Sequence, residues 1–394
     1  MQFGMIEYAP MKRILSPACF LLLLAGCQAY PAGGAIADIP GFAFEEDVSE
    51  MGESSLGARP AELFNDPKPL KKERAAFQRA LAAFGRNTGG KRALYEKNID
   101  AIGANGILDG IQTLWPTCHS EAHDLGKIIF ARTKDVGLGL SICADGCYSG
   151  CMHGVLMEAF TRLSNPSDPE AHVDPEKLVQ MMNDICYKTD SMQSSYSEGD
   201  CAHGIGHALM VLADYDIPTS MEYCDSFDST AMDYYCATGA YMEYVNTHDP
   251  ADAKEKSLLY PCDVDPYPAA CARYKMVHVV RRHYQTKGKL SELVAVCENL
   301  KGHYRLGCFH GLGNGHLSPL VGGEMKLADV CLHGTAQDQT ACIDGAMERI
   351  GKYHPQKAKE ICAGMTGKLQ ETCLMSAERK MYNMEKDFSL YLNP

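Results

Sequence analysis

The cysteines of this chain recur at a regular spacing, and this spacing constrains the fold more than any other feature. The chain has 394 residues and 18 cysteines, far more than intracellular proteins usually carry. From residue 186 onward the cysteines form consecutive pairs. The second members of these pairs, 31 to 37 residues apart, are Cys201, Cys236, Cys271, Cys308, Cys342 and Cys373. A period near 35 residues is typical of proteins built from repeated pairs of helices.

Apolar residues at helical spacing precede the first cysteine of a pair and follow the second. Examples of the first kind are 178–186 (LVQMMNDIC) and 293–297 (LVAVC), and 201–210 (CAHGIGHALM) is an example of the second. We therefore predict αα-hairpins in which the first Cys ends one helix and the second Cys starts the next. A single hairpin cannot bury its own apolar face. The prediction is therefore an all-α solenoid of six to seven stacked repeats with one disulfide each.

The same register predicts how the cysteines pair. Apart from two near the N-terminus, sixteen cysteines remain, so no thiol is left over. The predicted pairs are Cys186–Cys201, Cys224–Cys236, Cys262–Cys271, Cys297–Cys308, Cys331–Cys342 and Cys362–Cys373, with Cys143–Cys151 before them and Cys118–Cys147 as the eighth. Closing a loop of this size stabilises a fold by about 3 kcal/mol.

The alternative is that these cysteines bind a metal or haem. The sequence contains no C-x-x-C-H and no C-x-x-C. This disfavours c-type haem attachment, zinc ribbons and thioredoxin-like redox chemistry. We therefore interpret the cysteines as structural disulfides of a protein that folds in an oxidising compartment.

The layout resembles the cysteine-rich Sel1-like repeat proteins of bacteria, which are secreted αα-repeat solenoids with a bridge in each unit. Residues 297–308 (CENLKGHYRLGC) carry the likeness best, and it covers about 178–380. The chain departs from that pattern in two ways. Most of its cysteine spacings are longer, and several second helices begin with Cys-x-His-Gly where those proteins have a Leu-Gly pattern. The resemblance implies an extracytoplasmic helical repeat protein.

A basic pair, a short apolar run and a cysteine follow one another near the N-terminus. Residues 12–13 (KR) precede the run, which ends in 24–27 (LAGC) and is too short to span a bilayer. This segment resembles a bacterial lipoprotein signal, which implies cleavage before Cys27 and a lipid on that residue. Gln28 in place of Asp favours sorting to the outer membrane, facing the periplasm or the cell surface. An ordinary secretory signal is the alternative.

These features predict four parts of the chain. They are a signal peptide over 1–26 (starting at Met1 or Met11), a flexible tether over 27–69, an N-terminal helical region with an irregular first repeat over 70–177, and the solenoid over 178–394. Within the N-terminal helical region, apolar residues at helical spacing predict helices over 71–84 and 91–115. The net charge of −13 argues against a nucleic-acid partner.

Histidines recur at matching places of the repeats. Those singled out are His119, His123, His153, His203 and His207, with Glu121, Glu158 and Glu243 among the carboxylates near them in the pattern. Two H-x-x-x-H pairs place their imidazoles on one helix face each. Because equivalent positions of stacked repeats line up, these side chains are expected to converge and to suit Zn²⁺, Cu²⁺ or Fe²⁺. The alternative is structural, with each His ring bonded to a loop carbonyl.

Two functions are compatible with these patterns. The first, which requires only the repeat, is an envelope-anchored scaffold that binds a protein or peptide on its concave face. The second is a metal-dependent hydrolase or oxidase in which the five histidines are ligands and Glu121 or Glu158 is the general base. Whether the His rings converge within ligand distance discriminates between the two.

Overall fold

The computed structural model describes residues 71–85, 90–143, 146–162, 175–187, 198–248, 260–262, 266–285, 288–378 and 383–386. All of them belong to one compact unit, Ser49–Pro394. The predicted signal peptide, the lipidation site at Cys27 and the tether lie outside the described residues.

The described residues form α-helices and one 3₁₀ turn, and they contain no β-strand, so the all-α prediction is confirmed. The 3₁₀ turn is Cys147–Ser149. The helices are α1 (Lys71–Phe84), α2 (Lys91–Leu114), α3 (His119–Thr133), α4 (Val136–Ile142), α5 (Gly150–Thr161), α6 (Pro175–Tyr187), α7 (Glu198–Leu212), α8 (Ile217–Cys224), α9 (Thr230–Thr247), α10 (Pro268–Gln285), α11 (Leu290–Glu298), α12 (Gly302–Gly315), α13 (Leu317–Gly322), α14 (Leu327–Cys331), α15 (Ala336–Tyr353), α16 (Pro355–Ala363) and α17 (Lys368–Glu378). In the described part of the chain, none of these helices combines the length and the apolar character needed to cross a bilayer.

All eight predicted cysteine pairs are confirmed as disulfides. Their Cα atoms lie 4.7 Å apart in Cys118–Cys147 and between 5.3 and 5.7 Å apart in the other seven. All sixteen cysteines are buried. The disulfides therefore form part of the core between the helices that they join.

The second cysteine of a pair often lies further into its helix than the sequence predicted. Cys236, Cys308 and Cys342 each follow six residues of their own helix. The start of α15 shows the physical reason. Thr335 and Asp338 form a capping box there, and this signal, rather than the cysteine, sets the helix boundary.

The long helices pack against one another in chain order. Contacts run from α3 to α5, α7, α9, α10, α12, α15 and α17, and each shorter helix α4, α6, α8, α11, α14 and α16 packs on the longer helix that follows it. Five disulfides, Cys186–Cys201, Cys224–Cys236, Cys297–Cys308, Cys331–Cys342 and Cys362–Cys373, each join the end of one helix to the long helix after it. The hydrophobic core is consequently continuous from Phe77 to Met384.

Glycines at the third place after the second cysteine let neighbouring long helices touch through their backbones. A Cβ atom added to Gly239 would lie 1.9 Å from the carbonyl oxygen of His203, and one added to Gly345 would lie 1.9 Å from that of His310. No side chain fits in such a space, so glycine is required there. The residue before each glycine is thereby buried between adjacent helices, as His153 is before Gly154.

Polar contacts join the beginning of this helix series to its end. Tyr148 OH lies 3.2 Å from Nε2 of His354, and Ser149 Oγ lies 2.6 Å from the hydroxyl of Tyr353. Lys352 pairs with Asp200. Helices that contact only their sequence neighbours would not make such contacts, so the series curves back on itself.

Candidate metal centre

The five histidines singled out in the sequence come together between three consecutive long helices. His119 and His123 lie on α3, His153 on α5, and His203 and His207 on α7. All five are buried, with 0 to 8% of their surface exposed. The spacing of four within α3 and α7 places each pair on one face, and the glycine contacts hold the three helices close together.

Four of the five histidines offer ligand atoms at metal-site spacing. One ring nitrogen from each of His119, His123, His153 and His207 lies within 4.8 Å of the others. Two nitrogens bound to one ion at about 2.1 Å can be at most about 4.2 Å apart, so the set is close to ligand spacing. His203 lies beside the four, with its Nε2 3.3 Å from Nε2 of His207. The expected convergence of the rings is therefore present in the structure.

Hydrogen bonds outside the cluster orient three of the rings. Nδ1 of His119 is 2.8 Å from the carbonyl oxygen of Tyr148, which accepts its proton. Nδ1 of His207 is 2.9 Å from a carboxylate oxygen of Glu243. These acceptors place a proton on each Nδ1 and turn each Nε2 into the cluster, where the neutral ring of His119 has its lone pair. Such outer partners are the usual support of metal-binding imidazoles.

His203 is oriented in the same way, through a hydroxyl. Its Nδ1 lies 2.8 Å from Oγ1 of Thr238, and that hydroxyl donates its own proton to the carbonyl oxygen of Tyr235 at 2.6 Å. Thr238 can therefore only accept from His203, and Nε2 of His203 keeps its lone pair. Nε2 of His203, with its lone pair, consequently faces Nε2 of His207.

The cluster fits a metal ion on two observations. Two Nε2 atoms 3.3 Å apart share a cation, either a proton on His207 or a metal ion bound near both. In addition, Nε2 of His123 is buried and has no hydrogen-bond partner among the described residues. Buried polar atoms are rarely left without a partner, and a bound ion would satisfy this one.

Burial keeps these imidazoles in the neutral form that binds metals. It lowers the pKa of His119, His153 and His203 well below the usual value, and neighbouring histidines lower it further. Burial and then the charge of His207 lower the pKa of His123 to about 3. At neutral pH these four rings are therefore uncharged and have a lone pair to offer.

A cavity of about 810 Å³ opens beside the cluster. His119 lines it, together with Tyr148 from the 3₁₀ turn, Tyr274 from α10 and Arg349 from α15. A volume of this size accommodates a small-molecule ligand. One face of the candidate metal centre therefore adjoins a space that a substrate can enter.

The two candidate general bases have different surroundings. Glu121 lines the cavity on the same helix as His119. Glu158 pairs with Arg162 at 2.9 Å on the outer part of α5. Only Glu121 is therefore placed where it can act on a group in the cavity.

Later helices carry a different polar cluster at the same register. Arg273 Nη2 lies 2.6 Å from Glu348, and Tyr235 donates to the other oxygen of that carboxylate at 3.0 Å. His310 Nε2 is 3.8 Å from Glu348. Glu348 is not among the residues predicted from the sequence, although it lies six residues after Cys342, as His207 lies six after Cys201. An ion pair occupies the position that imidazoles hold in the first helices.

Glu243 is the outer partner whose loss we expect to weaken metal binding. Burial raises its pKa, but the hydrogen bond and charge of His207 outweigh this and lower it to about 2, so the carboxylate stays charged. Glu243→Gln should weaken metal affinity by about 10- to 100-fold, the usual effect of losing such a partner. Competition with a chromophoric chelator measures this. Glu96→Gln, in an exposed pair with Arg92 on α2, should have no effect. Equal affinities in both variants would remove Glu243 from the site.

A scan against family models, a search of curated proteins and a search of solved structures each find no match to this chain.

Proposed function

We propose that this protein is a metal-dependent enzyme with a divalent transition-metal ion held by His119, His123, His153 and His207. The observation that carries the proposal is the spacing of their ring nitrogens, all within 4.8 Å of one another in a buried site. Imidazole ligands suit zinc, copper, iron and nickel. His203 is a further ligand or a close neighbour of the ion.

The surrounding residues supply the rest of the site. Tyr148, Thr238 and Glu243 hold the imidazoles in the ligating tautomer. The cavity admits the substrate next to His119, and Glu121 on its wall accepts a proton from the substrate or from water. When bound, the ion would polarise a substrate oxygen or a water, or would exchange electrons with the substrate.

Cobalt binding tests this proposal directly. Titration of the metal-free mature protein with Co²⁺ should saturate at about one ion per chain and give the visible bands of nitrogen-ligated cobalt. The metal retained on purification then separates the reaction classes, because zinc indicates a hydrolase, whereas copper or iron indicates an oxidase. Absence of any Co²⁺-dependent absorption at saturating metal would overturn the proposal.

The scaffold hypothesis has less support from the surface. Among the described residues, the large apolar side chains that stay exposed are Leu332, Leu374 and Met375. A protein partner usually docks on a larger apolar patch than these three side chains provide. A scaffold, in contrast, does not require the buried imidazole cluster.

We further propose that the helices are repeats of one αα unit whose solenoid closes on itself. The contacts of Tyr148 and Ser149, in the 3₁₀ turn, with Tyr353 at the end of α15 and with His354 just after it support this closure. The five histidines and the cavity would then lie inside the closed array. A closed array also accounts for the polar groups of α10, α12 and α15 that share this interior.

We also propose that a lipid on Cys27 anchors the protein in the bacterial envelope, on the outer membrane. The lipobox resemblance and the eight disulfides support this, since disulfides persist in oxidising compartments. Cys27→Ser should move the protein from the membrane fraction to the soluble fraction, measured by immunoblot after fractionation. Cys19→Ser is the matched control and should leave the distribution unchanged. Membrane retention of Cys27→Ser would contradict lipid anchoring.

A further inference from the structure

Arg349 is a cation on the cavity wall that is not neutralised by a carboxylate. Its Nη2 donates to the hydroxyl of Tyr274 at 3.4 Å, a long hydrogen bond. In the described part of the chain no carboxylate lies within 4.0 Å of its guanidinium; the adjacent Glu348 is paired with Arg273 instead, at 2.6 Å. Arg305, by comparison, binds Asp338 with two nitrogens, at 2.8 and 2.7 Å. The guanidinium of Arg349 therefore has donors left for a ligand.

The excess of positive charge near the cluster also favours binding of an anion. A divalent ion bound by neutral imidazoles keeps both of its positive charges, and the guanidinium of Arg349 adds a third. Among the residues bonded to the cluster, Glu243 contributes a single negative charge. Uncompensated charge in a partly dehydrated site is costly. A negatively charged group on the ligand would offset that cost.

The other charged residues of the cavity reduce this excess of positive charge by one and do not remove it. The lining contains Lys91 and Arg281 as further cations, and Glu121, Asp124 and Glu324 as anions. Arg349 differs from them in its place beside the histidines. Tyr274, which Arg349 contacts, has its ring centroid 5.6 Å from that of His203.

We infer that Arg349, oriented by Tyr274, binds a carboxylate or phosphate group of the substrate beside the imidazole cluster. This inference rests on the proposed function, because it places the bound group next to the metal ion. The planar guanidinium can donate two parallel hydrogen bonds to either oxyanion. The substrate is therefore a small anion, and the metal acts on a bond close to its charged end.

The test uses Co²⁺-loaded mature protein, with acetate and inorganic phosphate as separate probes. Isothermal titration should detect binding of at least one of them, and the visible cobalt spectrum should shift because the anion lies beside the ion. The arm that binds more tightly identifies the class of oxyanion. Arg349→Met should weaken that binding by at least about tenfold, the loss of a charge-assisted pair. Arg349→Lys should weaken it less.

Arg92→Met is the matched control, because Arg92 forms an exposed pair with Glu96 outside the cavity. Its anion affinity and cobalt content should equal those of the wild type. Tyr274→Phe removes the hydroxyl that contacts Arg349 while retaining the ring, and a two- to fivefold weakening is expected. Circular dichroism and cobalt content of each variant show that the fold and the metal site remain.

The outcomes separate this inference from the proposed function. Unchanged anion affinity in Arg349→Met, or no binding of either probe to the cobalt-loaded wild type, overturns the anion site and leaves the metal centre standing. If cobalt does not bind at all, the proposed function fails. The same titrations on metal-free protein then decide the anion site, with loss of binding in Arg349→Met supporting it and equal binding rejecting it.

Discussion

His207→Ala is expected to weaken metal binding by more than about 100-fold, a larger effect than the loss of an outer partner. His207 is one of the four clustered ligands, and its ring is held by the carboxylate of Glu243. Its removal also leaves His203 without the neighbouring Nε2. Chelator competition and elemental analysis of the purified variant measure the loss.

The matched control for this prediction is His248→Ala. His248 is exposed at the end of α9 and stacks on Tyr244, away from the cluster. We expect the wild-type metal affinity in this variant. Metal binding that survives His207→Ala at full affinity, or that falls equally in both variants, would contradict the assignment of the ligands.

Gly239→Ala is expected to destabilise the protein by about 3 kcal/mol, at the upper end of what overpacking costs. The added methyl group would meet the carbonyl oxygen of His203 at 1.9 Å, and backbone cannot move aside as a side chain does. The midpoint of guanidinium unfolding, with the disulfides intact, measures this loss. Displacement of His203 should also weaken metal binding in the variant.

Two other glycines separate the contributions of stability and site geometry. Gly345→Ala introduces the same clash against His310, outside the five-histidine cluster, and should destabilise the fold while leaving metal affinity unchanged. Gly322→Ala meets only the flexible side chain of Glu324 at 3.4 Å and should change neither. If Gly239→Ala and Gly322→Ala unfold at the same denaturant concentration, the close helix contact has no structural importance.

The cysteine pairing could be predicted from the sequence because it depends on short loops. Seven of the eight disulfides close 8 to 15 residues, and only Cys118–Cys147 closes a longer stretch of 29. The first helix, predicted over 71–84, is also confirmed. Such features are set by local periodicity and register, which one sequence contains.

The convergence of the histidines could be predicted for a related reason. In the repeat interpretation, equivalent positions of neighbouring units face each other, which predicts that His153 and His203 approach. Their ring centroids lie 5.2 Å apart. The sequence did not indicate that Glu158 would pair with Arg162, four residues later and just past the end of α5. Both candidate bases lie on helices. Only the position of α3 at the cavity wall makes Glu121 a better candidate for the general base than Glu158.

The cavity residues could not be predicted, because they come from distant parts of the chain. Arg349 is 75 residues from Tyr274, which it contacts, and Tyr148 is 206 residues from His354. These contacts depend on how far the helix series curves, and curvature is the sum of small rotations at every interface. The repeat period in the sequence does not determine the total curvature of the helix series.

Elemental analysis of the purified mature protein, beside a His119→Ala/His207→Ala double variant prepared in the same way, tests the metal centre most directly. We expect about one zinc, copper, iron or nickel ion per wild-type chain and no more than trace metal in the double variant. No transition metal in the wild type, or the same metal content in both proteins, would contradict it.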